Sequence, residues 1–388
     1  MSKLKKVVII QPLLMGKRGP WRFINEVAKR LTLKGYLVSI YCMAYEKSST
    51  FDFDNFSKEV AGGKLRKTIM HIATIIWKRF GKFQVCNVPL SSFVSPLLIL
   101  KSLIRDKPDV IIVNEGAVFC GLLKTLYPRV PITIIYYHKP DPDTIAGTLL
   151  ARFLRPFEML SAKNCIIATN STYFAHKFES TLGVRPHVIH PGVDVERFSG
   201  LPRADDGKTL LYVAAFSPEK LQDFLIEIVN RLLQMDVQVK LILAGSLSIK
   251  DESKRYYENV LKKVSELKLQ DAVQFYPNID DKSLTSIYSK ASIYLHPAIE
   301  GFGISIVEAM ATGIPVICRK EERGQLDIIR SGIDGLLVGK NVEEWCSAII
   351  KLLADKELRE RMSRAARERA KVFSWEKTVE KLERLFYG

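Results

Sequence analysis

Short apolar runs rich in β-branched residues alternate with longer amphipathic stretches along most of the chain. This alternation is typical of parallel sheets built from strand–helix–strand units, and it constrains the fold more than any other feature. The pattern predicts five strands in the first half and restarts for five more in the second. The predicted strands are residues 6–10, 37–42, 110–114, 132–137 and 164–168, then 210–214, 239–244, 273–276, 292–295 and 315–318. The fold class is therefore α/β, with two doubly wound sheets in tandem.

The chain is long enough for two such domains, because 388 residues at roughly 100 to 200 per domain predict two or three. A boundary is expected at residues 199–207, where Gly, Pro and Asp cluster between patterned segments. Residues 22–34 predict the first crossover helix, which ends at Gly35. A ligand is expected in the cleft between the domains, because open α/β sheets bind at the carboxyl ends of their strands.

Positive charge is concentrated in the first half of the chain. Residues 1–200 contain 29 Lys and Arg against 14 Asp and Glu, whereas residues 201–388 contain 29 against 28. Such a field favours a polyanionic partner, which could be an acidic membrane surface, a phosphorylated substrate or nucleic acid. No recognition-helix, RNA-recognition or basic-aromatic motif supports nucleic acid, so nucleic acid is not expected as a partner.

The sequence predicts a cytoplasmic protein. No apolar run approaches the ~18 residues of a transmembrane helix. The basic start leads into four apolar residues only, which indicates a first strand and not a signal peptide. The six cysteines lie far apart without a Cys-x-x-Cys pair, and they are expected to be reduced packing residues. No metal-ligand spacing is visible, so no metal site is expected.

The most informative segment is residues 296–317, with the sequence HPAIEGFGISIVEAMATGIPVI. A strand ends before it, a loop with Gly301 and Gly303 turns, and a helix is predicted from Ile304. Glycines let backbone N–H groups approach a ligand, and the helix start carries about half a positive charge, which favours an anion. The carboxylates of Glu300 and Glu308 suit vicinal hydroxyls. These residue types indicate a phosphorylated sugar compound; the alternative is a plain strand-to-helix turn with an exposed helix Glu.

This segment resembles the signature of the retaining glycosyltransferases of family 4, which have the two-domain GT-B fold. That signature has two Glu separated by seven residues within an EGFG…EAMA…G-PV context, and Glu300 and Glu308 match the spacing. The resemblance implies that Glu300 lies against the donor sugar and that Glu308 holds the nucleotide ribose. It also implies that backbone amides after Glu300 support the sugar and phosphate, at Gly301, Phe302, Gly303 and Ile304.

The resemblance extends to a Ser-Pro-Glu-Lys string that follows the strand at 210–214 and ends in Lys220. It implies that Lys220 neutralises the donor diphosphate. The family usually has Gly-Arg before this string, whereas Ala214 and Ala215 stand here, so a second diphosphate cation is missing. The family's Gly-Gly turn after the strand at 315–318 is also altered, to Arg-Gly. Cations that could replace the missing one, or equally be surface charge, are Arg319, Lys320 and Arg323.

The first domain fits the family less specifically. His138 follows a strand where the family often places a His facing the donor sugar, and it is implied as a catalytic residue. Gly19 stands at the second Gly of the family's first loop, whose first Gly is Arg18 here, and it is implied to approach the diphosphate or the acceptor. The terminal helix is implied to cross back onto the first domain. The predicted domains are therefore 1–199 plus 373–388, which binds the acceptor, and 200–372, which binds the nucleotide sugar.

The resemblance implies metal-independent transfer of a sugar from a nucleotide diphosphate to an acceptor hydroxyl, with retention. Residues 64–83 contain six Lys and Arg and no acid around an apolar centre, a composition suited to an anionic membrane surface. A crossover helix with solvated basic ends is the alternative for this segment. Membrane docking predicts a peripheral protein at the cytoplasmic face with a lipid-linked saccharide acceptor. The strings at 136–141 and 170–172 resemble mannosyltransferases of lipid-linked oligosaccharide assembly, which implies GDP-mannose as donor.

Other functions remain open from the sequence. A UDP-sugar-dependent glycosyltransferase with a soluble or polysaccharide acceptor would carry the same motifs. The Ala214–Ala215 replacement would also suit a non-catalytic sugar-nucleotide-binding protein. An epimerase would turn over the nucleotide sugar without an acceptor, and a phosphorylase would cleave a glycan with inorganic phosphate.

Overall fold

The computed structural model describes residues 5–10, 13–14, 19–42, 44–45, 66–69, 84–85, 88–89, 100–114, 120–136, 149–248 and 251–387. The chain divides into two compact units. The first unit comprises Met1–Gly192 and Trp375–Gly388, and the second comprises Val193–Ser374.

The first unit is built on a parallel sheet. Its strands are β1 (Lys6–Ile10), β2 (Leu13–Leu14), β3 (Leu37–Cys42), β4 (Ala44–Tyr45), β5 (Arg66–Ile69), β6 (Gln84–Val85), β7 (Val88–Pro89), β8 (Val110–Asn114), β9 (Ile132–Tyr136), β10 (Ile166–Thr169) and β11 (His187–Val188). Its first helices are α1 (Gly19–Leu33), α2 (Leu100–Asp106), α3 (Cys120–Leu126), α4 (Leu149–Asn164) and α5 (Thr172–Leu182). Seven strands form the sheet in the order β11-β10-β9-β8-β1-β3-β5, and the pairs β2-β4 and β6-β7 stand apart from it.

Both faces of this sheet are covered, which explains the unbroken apolar runs of its central strands. Successive side chains of a strand point to opposite faces. Val7 and Ile9 of β1 accordingly pack in the core that contains Phe23 of α1. Val8 and Ile10 pack in a separate core on the other face. The alternation thus places β1 at the centre of the first unit.

The second unit repeats the plan. Its strands are β12 (Thr209–Val213), β13 (Lys240–Gly245), β14 (Val273–Pro277), β15 (Ile293–His296), β16 (Val316–Arg319) and β17 (Gly335–Val338). Its helices are α6 (Val195–Ser199), α7 (Gln222–Gln234), α8 (Asp251–Glu266), α9 (Asp281–Lys290), α10 (Ile304–Thr312), α11 (Gln325–Ile328), α12 (Val342–Ala354) and α13 (Lys356–Ala370). Two 3₁₀ turns, Pro218–Lys220 and Lys371–Phe373, complete it. The strands form one parallel sheet in the order β14-β13-β12-β15-β16-β17.

The strand order of the second unit reverses between β12 and β15. The chain passes from β12 outward to β13 and β14, then returns to the other side of β12 for β15, β16 and β17. Ligands of doubly wound sheets bind at such a switch point, outside the carboxyl ends of the strands. A ligand site in this unit is therefore expected at the loops that follow β12 and β15.

The last helix, α14 (Trp375–Arg384), belongs to the first unit. Trp375 is buried, and its ring meets that of Phe23 edge to face with centroids 5.9 Å apart. Thr378 donates a hydrogen bond to the carbonyl oxygen of His190 at 2.9 Å. The terminal helix thus packs within the first unit, the part of the chain to which the sequence assigned it.

The boundary between the units lies earlier than the sequence predicted. Residues 193–199 were expected in the first domain, but they form part of the second unit. Val193 donates a backbone hydrogen bond to the carbonyl of Phe373 at 2.8 Å, and the ring of Phe198 packs on Tyr288 with centroids 5.3 Å apart. These contacts bury the segment in the second core, so the division falls at Gly192 and again after Ser374.

All ten predicted strands are present within one or two residues, and the first crossover helix begins three residues earlier than predicted, at Gly19. Within the segment at 64–83, one stretch differs from the crossover helix that was the alternative expectation. Arg66–Ile69 is an edge strand parallel to β3, not helix. The rest of that segment lies outside the described residues. None of the helices in the described ranges combines the length and the apolar character needed to cross a bilayer.

Candidate functional site

Lys220 and Glu300 meet at the switch point of the second unit. Lys220 follows β12, and Glu300 follows the neighbouring strand β15. The Lys220 Nζ donates to Glu300 Oε1 at 2.6 Å, and the two side chains are 20% and 25% exposed. Two residues 80 positions apart thus form an ion pair that solvent still reaches. The sequence named both for a donor sugar and its diphosphate, and the fold brings them together.

The backbone around Lys220 is held in a strained turn. Lys220 ends the 3₁₀ turn Pro218–Lys220, and Leu221, which follows it, has a φ of +57°. This left-handed conformation is unfavourable for a residue with a branched side chain and persists only where the surroundings enforce it. The hydroxyl of Tyr212 donates to the carbonyl of Lys220 at 2.9 Å. The turn therefore fixes the root of the Lys220 side chain above the end of β12.

The backbone of Glu300 is held by the turn after β16. The Glu300 N–H donates to Gln325 Oε1 at 3.4 Å, and the Glu300 carbonyl accepts from the Gly324 N–H at 3.1 Å. The amide of Gln325 also donates to the carbonyl of Arg319 at 3.3 Å, and its side chain is fully buried. Hydrogen bonds thus fix both the N–H and the carbonyl of Glu300, so that only its side chain can rotate.

The glycine loop opens onto the start of α10. Gly303 precedes the helix with a φ of +109°, and a Cβ there would lie 2.6 Å from Ile306 Cδ1. No described side chain caps this helix start, so its first N–H groups point outward as an anion-binding edge. Phe302 is 3% exposed, and its ring packs on Phe373 with centroids 5.5 Å apart. Phe302 can therefore contribute to a site through its backbone only.

Glu308 is a buried residue and not an exposed helix Glu. It lies in α10 with 5% exposure, and its Oε2 accepts a hydrogen bond from the hydroxyl of Tyr288 at 3.1 Å. Burying a carboxylate is costly unless hydrogen bonds compensate. The exposed helix Glu of the plain-turn alternative is therefore not what the structure has, because Glu308 is buried.

His296 is a further residue of the site that no sequence motif singled out, although it begins the segment 296–317. It is the last residue of β15 and is 1% exposed, and its Nε2 lies 3.8 Å from Glu300 Oε1. Burial lowers the pKa of His296 to about 4; the charge of the Glu300 carboxylate opposes this shift, and the nearby charge of Lys220 adds to it. The imidazole is therefore neutral near pH 7. Its position four residues before Glu300 was the available signal, but burial could not be read from a single His.

Of the residues proposed to replace the missing diphosphate cation, Arg319 ends β16, and Lys320 and Arg323 follow it. The guanidinium of Arg319 pairs with Glu321, and its side chain is only 11% exposed. Lys320 is exposed. Ala215 contributes its carbonyl, which accepts from the amide of Gln222 at 2.8 Å, and supplies no charge. Arg319 is thus already engaged within its own loop.

The first-unit candidates are only partly covered by the structure. Gly19 begins α1, which follows β1 in the first unit. His138 and Arg18 lie outside the described residues, so their roles stay predictions. In the described part of the chain, no three His, Cys, Asp or Glu side chains come together as a metal ion would require. Four cysteines in those ranges are free, and three of them are buried.

Both units match family models. Residues 18–197 match the model described as Glycosyltransferase Family 4, and residues 195–369 match Glycosyl transferases group 1. A D-inositol 3-phosphate glycosyltransferase of Geodermatophilus obscurus is 31% identical over 245 residues, which cover 58% of this chain and 53% of that protein. Its counterpart in Kribbella flavida is 28% identical over 246 residues, 59% and 58% of the two chains. The match thus spans little more than half the length of these curated relatives.

Solved structures resemble the chain along its whole length. A glycosyltransferase from Rickettsia africae superposes with a TM-score of 0.77 at 17% identity, covering 99% of this chain and 98% of its own. Anabaena HepE in complex with UDP and glucose gives 0.69 at 17%, with 99% and 100% covered. WaaG, a glycosyltransferase involved in lipopolysaccharide biosynthesis, gives 0.70 at 16%, with 98% and 100% covered. At these identities the likeness shows the fold.

Two parallel-sheet units of this kind, which solved glycosyltransferase structures match along both chains, define the GT-B fold. The chain has this fold, and each of its two units matches one glycosyltransferase family model. It consists of a family 4 domain followed by a group 1 domain.

Proposed function

We propose that this protein transfers a sugar from a nucleotide diphosphate sugar to an acceptor hydroxyl, with retention at the anomeric carbon. The observation that carries the proposal is the Lys220–Glu300 pair at the β12–β15 switch point. A cation and a carboxylate stand there beside the uncapped start of α10. The cation and the helix start are complementary to a diphosphate, and the carboxylate is complementary to sugar hydroxyls.

The principal barrier to such a transfer is the charge that develops on the departing diphosphate. In our proposal Lys220 and the backbone N–H groups of residues 301–304 stabilise that charge, because preorganised donors act strongly in a partly dry site. Glu300 holds the sugar, and Glu308 holds the ribose. The two carboxylates are not a hydrolase acid and base pair, because Glu308 is assigned to the ribose and is bound to Tyr288.

The first unit supplies the acceptor side in this proposal. The family resemblance assigns His138 of this unit to face the donor sugar, and Gly19 at the start of α1 to approach the diphosphate or the acceptor. No metal is required for the electrostatic role given to Lys220 and the helix start, so the proposed enzyme works without one. Turnover in the presence of EDTA tests this point, and loss of activity that added Mg²⁺ or Mn²⁺ restores would refute it.

GDP-mannose is the donor that we propose, on the resemblance of the strings at 136–141 and 170–172 to mannosyltransferases. A UDP-sugar is the second candidate, because the Anabaena neighbour binds UDP and glucose. The acceptor that we propose is a lipid-linked saccharide at the cytoplasmic membrane face. A soluble phosphorylated acceptor is its competitor, because the curated relatives are named for D-inositol 3-phosphate, and the basic first half suits both.

The test is a transfer assay that crosses GDP-mannose, UDP-glucose, UDP-N-acetylglucosamine and ADP-glucose with the two acceptor types. Product mass identifies the class of sugar, and the one-bond carbon–proton coupling constant of the new anomeric centre distinguishes retention from inversion. Formation of a retained product supports the proposal, and an inverted product refutes it. Binding of a nucleotide sugar without transfer to either acceptor would favour the non-catalytic alternative. Flotation with anionic and neutral liposomes tests the membrane part separately.

A matched pair of variants makes the assay specific to the site. Lys263 and Glu227 form an ion pair at 2.5 Å between α8 and α7, in the same unit, and neither residue is assigned to the site. Lys220→Met and Glu300→Gln should abolish most of the transfer, whereas Lys263→Met and Glu227→Gln should leave it intact. Equal losses in both pairs would show a general effect on folding.

A further inference from the structure

His296 is an unusual buried residue because its ring has no hydrogen-bond partner among the described residues. Both Nδ1 and Nε2 are buried without one. The ring is packed edge to face against Tyr212 and stacked on Tyr294, with centroids 5.5 and 6.1 Å away. Buried polar atoms in proteins are normally satisfied, and an exception calls for an explanation. Its nearest acidic group is the carboxylate of Glu300, 3.8 Å from Nε2.

The Lys220–Glu300 pair cannot stay as it is when a donor binds, on the proposed function. Lys220 Nζ and Glu300 Oε1 are bonded to one another at 2.6 Å, yet one is assigned to the diphosphate and the other to the sugar. When Lys220 turns to the diphosphate, a carboxylate that is only 25% exposed loses its partner. An unpaired carboxylate in such a place is costly, and it would also face an anionic ligand.

We propose that His296 is a positioning residue that takes over the Glu300 carboxylate when Lys220 moves to the donor diphosphate. In this arrangement the Nε2–H of the neutral imidazole donates to Glu300 Oε1 and fixes the carboxylate for the sugar. The inference rests on the proposed function and deepens it. It identifies the group that keeps Glu300 oriented in the donor-bound state.

The geometry permits this exchange with a small movement. An N–H···O hydrogen bond spans about 3 Å, so the 3.8 Å separation must shorten by about 1 Å. The backbone of Glu300 is fixed by Gly324 and Gln325, so the movement is a rotation of its side chain. The ring of His296 is fixed between its two tyrosines, so it can offer Nε2 in one direction only. Its burial keeps it neutral, and it therefore leaves the positive charge at the diphosphate to Lys220.

Kinetics of three variants test the role. His296→Leu removes the N–H and should lower kcat by about 10- to 100-fold, the range expected when a hydrogen bond to a charged group is lost. His296→Gln keeps an N–H donor and should recover kcat to within about fivefold of wild type. Tyr294→Phe removes only the hydroxyl that donates to the carbonyl of Val213. When combined with this change, His296→Leu and His296→Gln should still differ in kcat as they do in the wild-type background. Equal kcat values for His296→Leu and His296→Gln at matched folded content would overturn the proposal.

A spectroscopic measurement keeps the inference separable from the proposed activity. With ¹⁵N-labelled histidine, the His296 signal can be assigned among the six in the chain by its absence in His296→Gln. Lys220→Met frees Glu300 without any ligand, so the His296 Nε2 should show the protonated tautomer and a shift typical of a hydrogen bond to a carboxylate. GDP or UDP should produce the same change in the wild-type protein, and Lys263→Met should not.

The outcomes of the two measurements are distinct. An unchanged His296 signal in Lys220→Met, or an unprotonated Nε2, would overturn the inference even if the enzyme transfers sugar. A shifted signal in Lys220→Met supports the contact between His296 and Glu300 even if no donor is turned over. Absence of transfer with every donor and acceptor would therefore refute the proposed function alone.

Discussion

The backbone N–H of Gly324 donates to the carbonyl of Glu300 at 3.1 Å, so the turn after β16 rests directly on the loop after β15. The contact leaves no space for a side chain. A Cβ on Gly324 would lie 2.0 Å from the carbonyl oxygen of Gly301 and 2.6 Å from the Cα of Phe302. The family's Gly-Gly turn has become Arg-Gly in this chain, and the glycine that is kept is the one whose position requires it.

Gly324→Ala should therefore damage the site. The clash is with backbone atoms, so the turn or the glycine loop must shift, at a cost of about 1–3 kcal/mol of unfolding free energy. We expect weaker donor binding and lower kcat together, because Glu300 and the 301–303 amides move with the loop. Isothermal titration with the nucleotide sugar measures donor binding, steady-state kinetics measure kcat, and urea unfolding measures the loss of stability.

Gly200→Ala is the control for that experiment. Gly200 has a φ of −76°, and the nearest atom to a Cβ there is a carbonyl oxygen 3.5 Å away. Alanine fits this conformation, so the variant should match the wild type in donor affinity and be equal or slightly more stable. A Gly324→Ala protein with wild-type affinity would show that the contact between the two loops does not shape the site.

Lys220→Met should reduce transfer by at least about 100-fold, because a single well-placed electrostatic group contributes about 10²–10³ in kcat. The loss should be larger in kcat than in acceptor KM, since Lys220 is assigned to the leaving diphosphate. Steady-state kinetics at several donor concentrations measure this loss. Lys263→Met, which breaks the ion pair with Glu227, is the matched control. A Lys220→Met enzyme within threefold of wild type would remove Lys220 from the mechanism.

The sequence predicted the parts of the site whose signals are local. The Gly301–Gly303 loop, the start of α10 at Ile304 and the helix end at Gly313 follow from glycine and apolar patterning in one segment. The pairing of Lys220 with Glu300 depends on β12 lying next to β15, a long-range arrangement that no local pattern specifies. Only the resemblance to the family implied it.

Other features of the site depend on burial, which a single sequence does not reveal. Gln is a residue type usually found at the surface, yet Gln325 is fully buried and accepts a hydrogen bond from the Glu300 N–H. His296 is neutral because the sheet and two tyrosines exclude water from it. The same limit explains the displaced domain boundary. The Gly and Pro cluster after Ser199 marks a loop, whereas the change of core occurs at Val193.

The stability of the second unit should depend on pH through His296. Its folded pKa of about 4 is below the ordinary value of 6.5, so between these values the unfolded chain binds a proton that the folded chain rejects. Stability is therefore fully present above pH 6.5 and is lost as the pH falls toward 4. Relative to His296→Gln, the wild type should lose about 2 kcal/mol more between pH 7 and pH 5.

Hydrogen exchange of the β15 amides in a urea series would report this loss for the second unit. The comparison with His296→Gln matters because other groups titrate in both proteins and cancel in the difference. Parallel pH profiles for the two proteins would show that His296 is protonated in the folded state, and they would contradict the burial that keeps it neutral.

Gly192→Ala should loosen the terminal helix α14. A Cβ at Gly192 would lie 2.5 Å from the Cα of Trp375 and 2.6 Å from its backbone nitrogen, so the start of α14 must move away. We expect a loss of about 1–3 kcal/mol and faster hydrogen exchange in α14, because Trp375 anchors the helix beside Phe23. Gly183→Ala is the control, since nothing lies within 4 Å of a Cβ there and the variant carries only the strain of a φ of +67°. If both variants leave α14 equally protected, the close approach of Gly192 to Trp375 does not hold the helix on the first unit.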